Sequence, residues 1–395
     1  MIVALGLLAG VFLAIWQFMI TYVLVYVSQH MGYNPIIIGL VGSMQSVGFI
    51  LGLLLIMPKV ESVKLFKTAL IATPIISAII LKGLFAVNSV APLMVMYVLY
   101  NINVAIFLVS VYNLVSDIIP PDQWSNGLSK FRSISGLVMV VMVIASARLA
   151  SEGALFTRML FYLLLTVGGI GVVVIPRAPL ISQRTLFKLD VMMDRLTRMA
   201  NGVAMAAGAV KASPMYYGRV LNYALDGGVS LGGILLSSMV FKMGLDSMMV
   251  QIPPIAANTV GSQAVFTAVA LGLAGYTIMA YIADKAGNGK TVMTLASFAG
   301  IAVALMLGKS LYAPLAFITV YTTVYMLMGL FDVESAALAM RSDPNKIRYQ
   351  PVAVNLGAIA GDIIGGLVIL HYSPHYLVYF SAIGFVLALI AWRRI

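Results

Sequence analysis

Twelve long apolar stretches take up nearly all of this 395-residue chain, and they limit the folds that it can adopt. A helix needs about 20 apolar residues to cross a bilayer, because lipid offers no hydrogen-bond partner to an open backbone group. Only 9% of the residues are charged and 62% are hydrophobic, whereas soluble domains carry about 25% charged residues. The sequence therefore predicts an all-α integral membrane protein.

The boundaries of the predicted spans follow from the apolar runs. They lie at 3–27, 35–57, 65–87, 91–116, 133–151, 155–176, 218–241, 259–282, 290–308, 312–338, 350–371 and 374–392. The start of the eighth span is the weakest boundary, because Pro253 and Pro254 interrupt the stretch 245–258. That stretch is predicted to be an external loop, a short interfacial helix or the broken start of the eighth span.

Lysine and arginine are unevenly divided between the two ends of the spans. Nineteen of the 24 lie on the side of the N-terminus, and five lie on the other side: Lys82, Arg148, Arg158, Lys242 and Lys309. Basic residues near span ends stay in the cytoplasm, so we predict a multi-pass protein of the plasma or inner membrane with both termini cytoplasmic. The net charge of +11 then indicates attraction to anionic lipid heads and not nucleic-acid binding.

The two halves of the chain resemble each other. Ala-Pro-Leu opens the fourth span at 91–93 and the tenth at 313–315, and Met-Gly recurs at 31–32 and 243–244. Parallel six-helix repeats are a transporter architecture in which the substrate binds near the midplane, between the halves. We therefore expect a small-molecule substrate.

This repeat predicts three regions. Residues 1–176 form an N-terminal six-helix bundle, 177–217 a cytoplasmic linker, and 218–395 a C-terminal six-helix bundle. Within the linker, apolar and charged residues alternate at helical spacing from Arg184 to Met199. We predict an amphipathic helix on the inner membrane surface there, and the alternative to a plain linker is a segment that binds a calmodulin-like or other partner.

The loop after the eighth span carries a local signature. The sequence Ala-Asp284-Lys285-Ala-Gly287-Asn-Gly-Lys290 is similar to the loop motif Gly-x-x-x-Asp-Arg-x-Gly-Arg-Lys of the major facilitator superfamily, although Ala280 and Lys285 replace the first Gly and the Arg. With the twelve spans, the repeat and the long linker, the whole chain resembles a member of that family. The resemblance implies the major facilitator fold, which has twelve transmembrane helices in two pseudo-symmetric six-helix bundles.

The same resemblance implies a conformational latch. In the family the acid at the position of Asp284 holds the halves together while the cavity faces outward. Here Asp284, Lys285, Gly287 and Lys290 would act on the start of the fifth span, near Arg132. A carboxylate is stabilised at a helix N-terminus. The alternative is a surface ion pair worth under ~1 kcal/mol.

Acids within predicted spans are candidate functional residues, because a charge in lipid is expensive. Asp226 and Asp332 lie about 10 and 13 Å into the bilayer, on spans that line the central cavity in the resembled family. Two neighbouring carboxyls out of water share a proton. We predict that these two acids carry coupling protons or bind a cationic group. The alternative is a buried hydrogen bond to Asn222 or Tyr223.

Neighbouring residues support that prediction. Asn222 shares a helical stripe with Asp226, and Tyr321 and Tyr325 share a face with Asp332. Asp362 lies deeper, beside glycines at 357, 361 and 365 that predict close packing against another helix; either a structural or a functional role is open for it. Glu334 is expected to be solvated.

The first half offers neutral polar groups. Gln17, Tyr22, Tyr100 and Asn101 lie on spans that face the cavity in the resembled family, so they are candidate hydrogen-bonding partners of a substrate. Asn101 and Asn103 cannot both point inward. An anionic substrate is disfavoured, since no Lys or Arg is predicted deep in a span.

These observations predict a secondary active transporter that moves a small neutral or cationic organic solute by alternating access, coupled to protons. The alternatives are a passive channel or facilitator, or a non-transporting membrane scaffold. An enzyme is not expected, because the chain lacks His-Glu-x-x-His and has no cysteine. We also expect no cofactor, no metal site, and a monomer.

Overall fold

The computed structural model describes residues 2–56, 63–118, 124–149, 154–174, 231–286, 289–342 and 349–394. The α-helices of these ranges are α1 (Ile2–His30), α2 (Pro35–Ile56), α3 (Val63–Leu84), α4 (Val90–Ile118), α5 (Trp124–Leu149), α6 (Ala154–Val174), α7 (Leu231–Ala256), α8 (Ser262–Ala286), α9 (Gly289–Ser310), α10 (Pro314–Ser342), α11 (Tyr349–His371) and α12 (Pro374–Arg394). The predicted linker lies outside the described residues, and the three regional boundaries stay a prediction.

Length and composition suit most of these helices to a bilayer. Within the described residues, nine apolar runs are long enough to cross a membrane, and one of them, Leu231–Met279, extends over α7 and most of α8. Shorter apolar segments lie in α5 and α6, at Ile134–Ser146 and Arg158–Val173. The prediction of an all-α membrane protein is confirmed.

The helices pack as two six-helix bundles related by pseudo-symmetry. In the first bundle α1 packs on α5, α2 on α4, α3 on α4, and α3 on α6. The same pairs recur six helices later, as α7 on α11, α8 on α10, α9 on α10, and α9 on α12. The bundles meet where α2 contacts α11 and where α5 contacts α8, which are again equivalent pairs.

Glycine brings α7 and α11 into backbone contact, as the sequence predicts. A Cβ at Gly357 or Gly361 would collide with the carbonyl oxygens of Met239 and Met243, respectively. The equivalent pair in the first bundle is packed in the same way, because a Cβ at Gly10 would lie 2.7 Å from the Ser135 carbonyl oxygen. Small residues permit such close approach in membranes, where van der Waals packing holds helices together.

The structure corrects the end of the seventh span. Residues 245–256 continue α7, and a π-helical turn at Ala257–Gly261 connects it to α8. The chain turns at Gly261, whose φ of 94° favours glycine. Pro253 cannot donate to the Met249 carbonyl, and the hydroxyl of Tyr321 on α10 donates to that oxygen instead, at 3.1 Å. A tertiary contact therefore keeps the helix intact where the sequence suggested a break.

Candidate substrate and proton site

A small cavity lined by charged, polar and apolar side chains lies between the two bundles, near the middle of the helices. Its volume of about 50 Å³ has room for about three to five water molecules. The lining side chains come from α1, α2, α7, α10 and α11. They are Trp16, Gln17, Ile20, Gln45, Ser46, Phe49, Lys242, Asp246, Met249, Val250, Met328, Val354, Asn355 and Asp362.

An ion pair that the sequence analysis missed lies at this cavity. The Lys242 Nζ is 2.9 Å from Asp246 Oδ1, one helical turn further along α7. Lys242 is 7% exposed and Asp246 is 9% exposed. Both were misplaced because the seventh span was predicted to end at 241, which made Lys242 an outer basic residue. Their i, i+4 spacing in an otherwise apolar stretch was the signal that could have identified them.

Two further acids surround this ion pair. Asp332 is 1% exposed and Asp362 is 2% exposed, and Lys242 is close enough to attract both carboxyl groups. Tyr276 on α8 donates to Asp332 Oδ2 at 3.4 Å. Within the described residues Asp362 Oδ1 has no hydrogen-bond partner. The structure thus brings Asp332 and Asp362 to one charged cluster and adds Lys242 and Asp246 to it.

The predicted tyrosines occupy different positions around this cluster. Tyr321 is committed to the Met249 carbonyl of α7, so its contact supports the helix. The Tyr325 hydroxyl lies 3.4 Å from the Thr21 hydroxyl of α1, and this contact joins the two bundles. Both rings are buried.

For the other residues that the sequence analysis singled out in the second half, one prediction is wrong and the rest stay untested. Glu334 is 3% exposed and is therefore buried, not solvated. Asp226 and Asn222 lie outside the described residues. The predicted latch also stays untested, since nothing is described of the side chains concerned: Asp284, Lys285, Gly287, Lys290 and Arg132.

Asn101 and Asn103 of α4 are occupied by internal hydrogen bonds. Asn101 accepts from Trp16 Nε1 at 3.0 Å and donates to the Tyr97 carbonyl. Asn103 points elsewhere and donates to the Thr73 carbonyl and to a neighbouring serine on α3. Tyr100 is fully buried and has no hydrogen-bond partner in the described part of the chain. Of the four predicted residues of this half, Gln17 lines the cavity.

Tyr22 belongs instead to an aromatic cluster at the side where α1 connects to α2, here called the α1–α2 side. The cluster contains Phe18, Tyr22, Phe85, Phe156 and Phe266, with ring centroids 4.7–6.3 Å apart. Phe266 comes from α8, so the cluster joins the two bundles.

Polar contacts strengthen the same junction. Gln251 on α7 donates to the Pro35 carbonyl of α2 at 3.0 Å and to the Asp362 carbonyl of α11 at 3.3 Å. Gln29 on α1 donates to Ser262 on α8 at 2.8 Å. At the α1–α2 side the two bundles are therefore joined by hydrogen bonds as well as by contacts between aromatic rings.

Two pseudo-symmetric six-helix bundles with a charged cavity between them are the architecture of a class of membrane carriers. The family model of the Major Facilitator Superfamily matches residues 6–351. The chain therefore belongs to the Major Facilitator Superfamily. No curated protein sequence matches the chain closely enough to count as similar.

Solved structures of transporters share this fold. The nucleoside transporter NupG superposes with a TM-score of 0.63 at 15% identity, over 99% of this chain and 97% of that one. The xylose transporter XylE from E. coli gives 0.59 at 12% identity, over 98% and 96%. A POT family transporter in complex with a peptide gives 0.64 at 12% identity, over 99% and 94%. These similarities establish the fold and not the substrate.

Proposed function

We propose that the protein is a proton-coupled secondary transporter that moves a small neutral or cationic organic solute by alternating access. One observation carries the proposal: among the described residues, Lys242, Asp246 and Asp362 line the cavity between the bundles, and a third buried acid, Asp332, lies near Lys242. If all four groups were ionised, the formal charge would be −2. An unbalanced charge in a dry interior is neutralised by protons or by a bound cation.

The positions of the acids along the helices suit a proton pathway. Counted from the helix ends at the α1–α2 side, Asp362 and Asp246 lie about 14 and 15 Å deep, at about 1.5 Å per residue. Lys242 and Asp332 follow at about 21 and 27 Å. The four groups thus span the middle of the bilayer, where ionisable residues in transporters form proton relays.

The bundles supply the two elements that alternating access needs. Rocking of one bundle against the other would separate the contacts at the α1–α2 side, including the Gln251 and Phe266 contacts. At the opposite side we propose that Asp284, Lys285, Gly287 and Lys290 latch onto the region of Arg132. We further propose cytoplasmic termini, a monomer in the plasma or inner membrane, and anionic lipid heads at the cytoplasmic loops.

Proteoliposomes that contain a pH-sensitive dye test the transport proposal. Nucleosides, xylose, small peptides and amines are added in turn, since the fold is shared with carriers of the first three classes. We expect saturable uptake of one class, accompanied by proton movement. Asp332→Asn should abolish the proton dependence, and Asp194→Asn in the predicted linker is the matched control that should preserve it.

Two outcomes of this experiment favour the alternatives. A flux that never saturates and ignores the proton gradient would identify a channel. Absence of flux for every solute class, with folded protein in the liposomes, would favour a scaffold. Either outcome contradicts the proposed carrier.

A further inference from the structure

The cavity already contains a cation of its own. The Lys242 ammonium reaches into it from α7 and is held by Asp246. The carboxyl groups of Asp246 and Asp362 both line the cavity beside this ammonium, so its wall carries a formal charge of −1 when all three groups are ionised and attracts positive charge even while Lys242 is in place. A positively charged ligand would therefore meet a favourable field, and an anion would meet repulsion.

Among the described residues, two acceptor groups at the cavity have no donor assigned to them. Asp362 is 2% exposed, lines the cavity and has a carboxyl oxygen without a hydrogen-bond partner in the described residues. Asn355 uses its amide N–H on the Pro351 carbonyl, which leaves its side-chain oxygen as an acceptor. A buried acceptor without a donor is unfavourable. An ammonium ligand brings up to three donors.

Two aromatic side chains also line the cavity. Trp16 and Phe49 both line the cavity, and their rings stack at 6.1 Å with an interplanar angle of 21°. The Trp16 N–H is used by Asn101, so the indole contributes to the cavity as an aromatic ring and not as a hydrogen-bond donor. Aromatic faces attract ammonium ions, and tryptophan does so most strongly. Ile20 and Met328 complete an apolar wall for the body of the ligand.

We propose that the cavity binds an amine that carries one positive charge, and that Lys242 is the resident cation which this ligand displaces from Asp246. Lys242 is then a specificity-determining residue, because its ammonium competes with the ligand for the same carboxyl groups. The inference deepens the proposed function by naming the substrate class, and it rests on that function for its biological meaning.

Three small molecules of similar shape test this idea: butylammonium, butanol and butanoate. Butylammonium reproduces the side chain of Lys242, and the other two differ from it mainly in charge. The protein carries three tryptophans, so Trp124→Phe and Trp392→Phe leave Trp16 as a fluorescent reporter inside the cavity. Binding is measured on the purified full chain by titration of that fluorescence.

We expect butylammonium to bind, and butanol and butanoate to bind far more weakly or not at all. Lys242→Met should tighten butylammonium binding by about tenfold or more, the equivalent of about 1.4 kcal/mol, because the competing ammonium is gone. Adding Asp246→Asn to it should remove that gain. Lys82→Met, an exposed site on α3, is the matched control and should change nothing.

Two results would overturn the inference. Butanoate binding that disappears in Lys242→Met would show that Lys242 holds an anion. Unchanged butylammonium affinity in a folded Lys242→Met protein would show that there is no competition. If that variant does not fold, Asp362→Asn in the presence of Lys242 serves instead: weaker butylammonium binding supports the inference, and unchanged binding contradicts it.

The binding assay and the transport assay can contradict the inference and the proposed function separately. Saturable proton-driven transport without any preference for cations would remove the inference and leave the carrier. Cation binding at Trp16 without transport would remove the carrier and leave the site.

Discussion

The two bundles share a backbone arrangement but differ in the chemistry of their interiors. In the second bundle the central positions carry Lys242, Asp246, Asp332 and Asp362, all buried. Among the described residues of the first bundle the buried polar groups are neutral, and one of them, Asn101, is committed to Trp16 and to its own helix. The two copies therefore share the packing of their helices, while in the part of the chain that the structure describes the buried charges lie in the second copy.

This asymmetry suggests a division of labour. The second bundle supplies the groups that take up protons or a cation, and the first supplies a shaped wall with Trp16, Gln17 and Phe49. Interactions between the copies, such as those of Tyr325 with Thr21 and of Phe266 with Tyr22, then connect the charged side to the neutral one.

The strongest test of the contrast removes one charge of the second bundle. Lys242→Met leaves Asp246 as an unpaired buried carboxyl, and we expect a loss of about 3–5 kcal/mol in the free energy of unfolding. Lys242→Met combined with Asp246→Asn removes both charges and should recover most of that loss. Equilibrium unfolding of the purified protein in detergent measures both. Equal destabilisation by the single and the double variant would contradict the ion-pair account.

The next largest effect is expected at the aromatic cluster that joins the bundles. Phe266→Ala removes a buried ring worth about 3 kcal/mol or more, and we expect the α1–α2 side to open. Because the chain has no cysteine, Ser46→Cys gives a single reporter on the cavity wall. Its reaction with a membrane-impermeant maleimide from the α1–α2 side should accelerate. An unchanged rate would show that the cluster does not close the cavity.

A substitution at a neutral position of the first bundle should lower the stability by a smaller amount and leave proton coupling unchanged. Asn101→Leu leaves the buried Trp16 N–H without an acceptor, and we expect a loss of about 1–3 kcal/mol in unfolding free energy. The proton dependence of transport should not change. A shift in that dependence would break the division between the bundles, because it would place proton coupling in the first half as well.

The smallest effect is expected at the cavity wall. Gln17 is 5% exposed and lines the cavity without a charge. Gln17→Leu removes one neutral hydrogen bond to a solute, worth about 0.5–1.5 kcal/mol, so the KM should rise a few-fold with little change in kcat. A complete loss of transport would show that Gln17 is essential, which contradicts the view that the first bundle supplies only a neutral wall of the cavity.

The sequence predicted the helices and the glycine packing of α11 because both depend on local composition. The predicted end of the seventh span was wrong, because two prolines usually interrupt a helix. The hydroxyl that compensates for them belongs to Tyr321, which lies on another helix. That error hid Lys242 and Asp246. The role of Asn101 was also out of reach, because its partner Trp16 lies 85 residues away along the chain.

Alternating access to the charged cavity is the central claim, and cysteine labelling from both membrane faces tests it most directly. Gln45→Cys introduces one thiol on the cavity wall into a chain that has no other. We predict that impermeant maleimide reacts from either face, and that a change of pH raises the rate from one face while it lowers the rate from the other. Rates that rise together on both faces, or a thiol that reacts from neither face, would contradict the account.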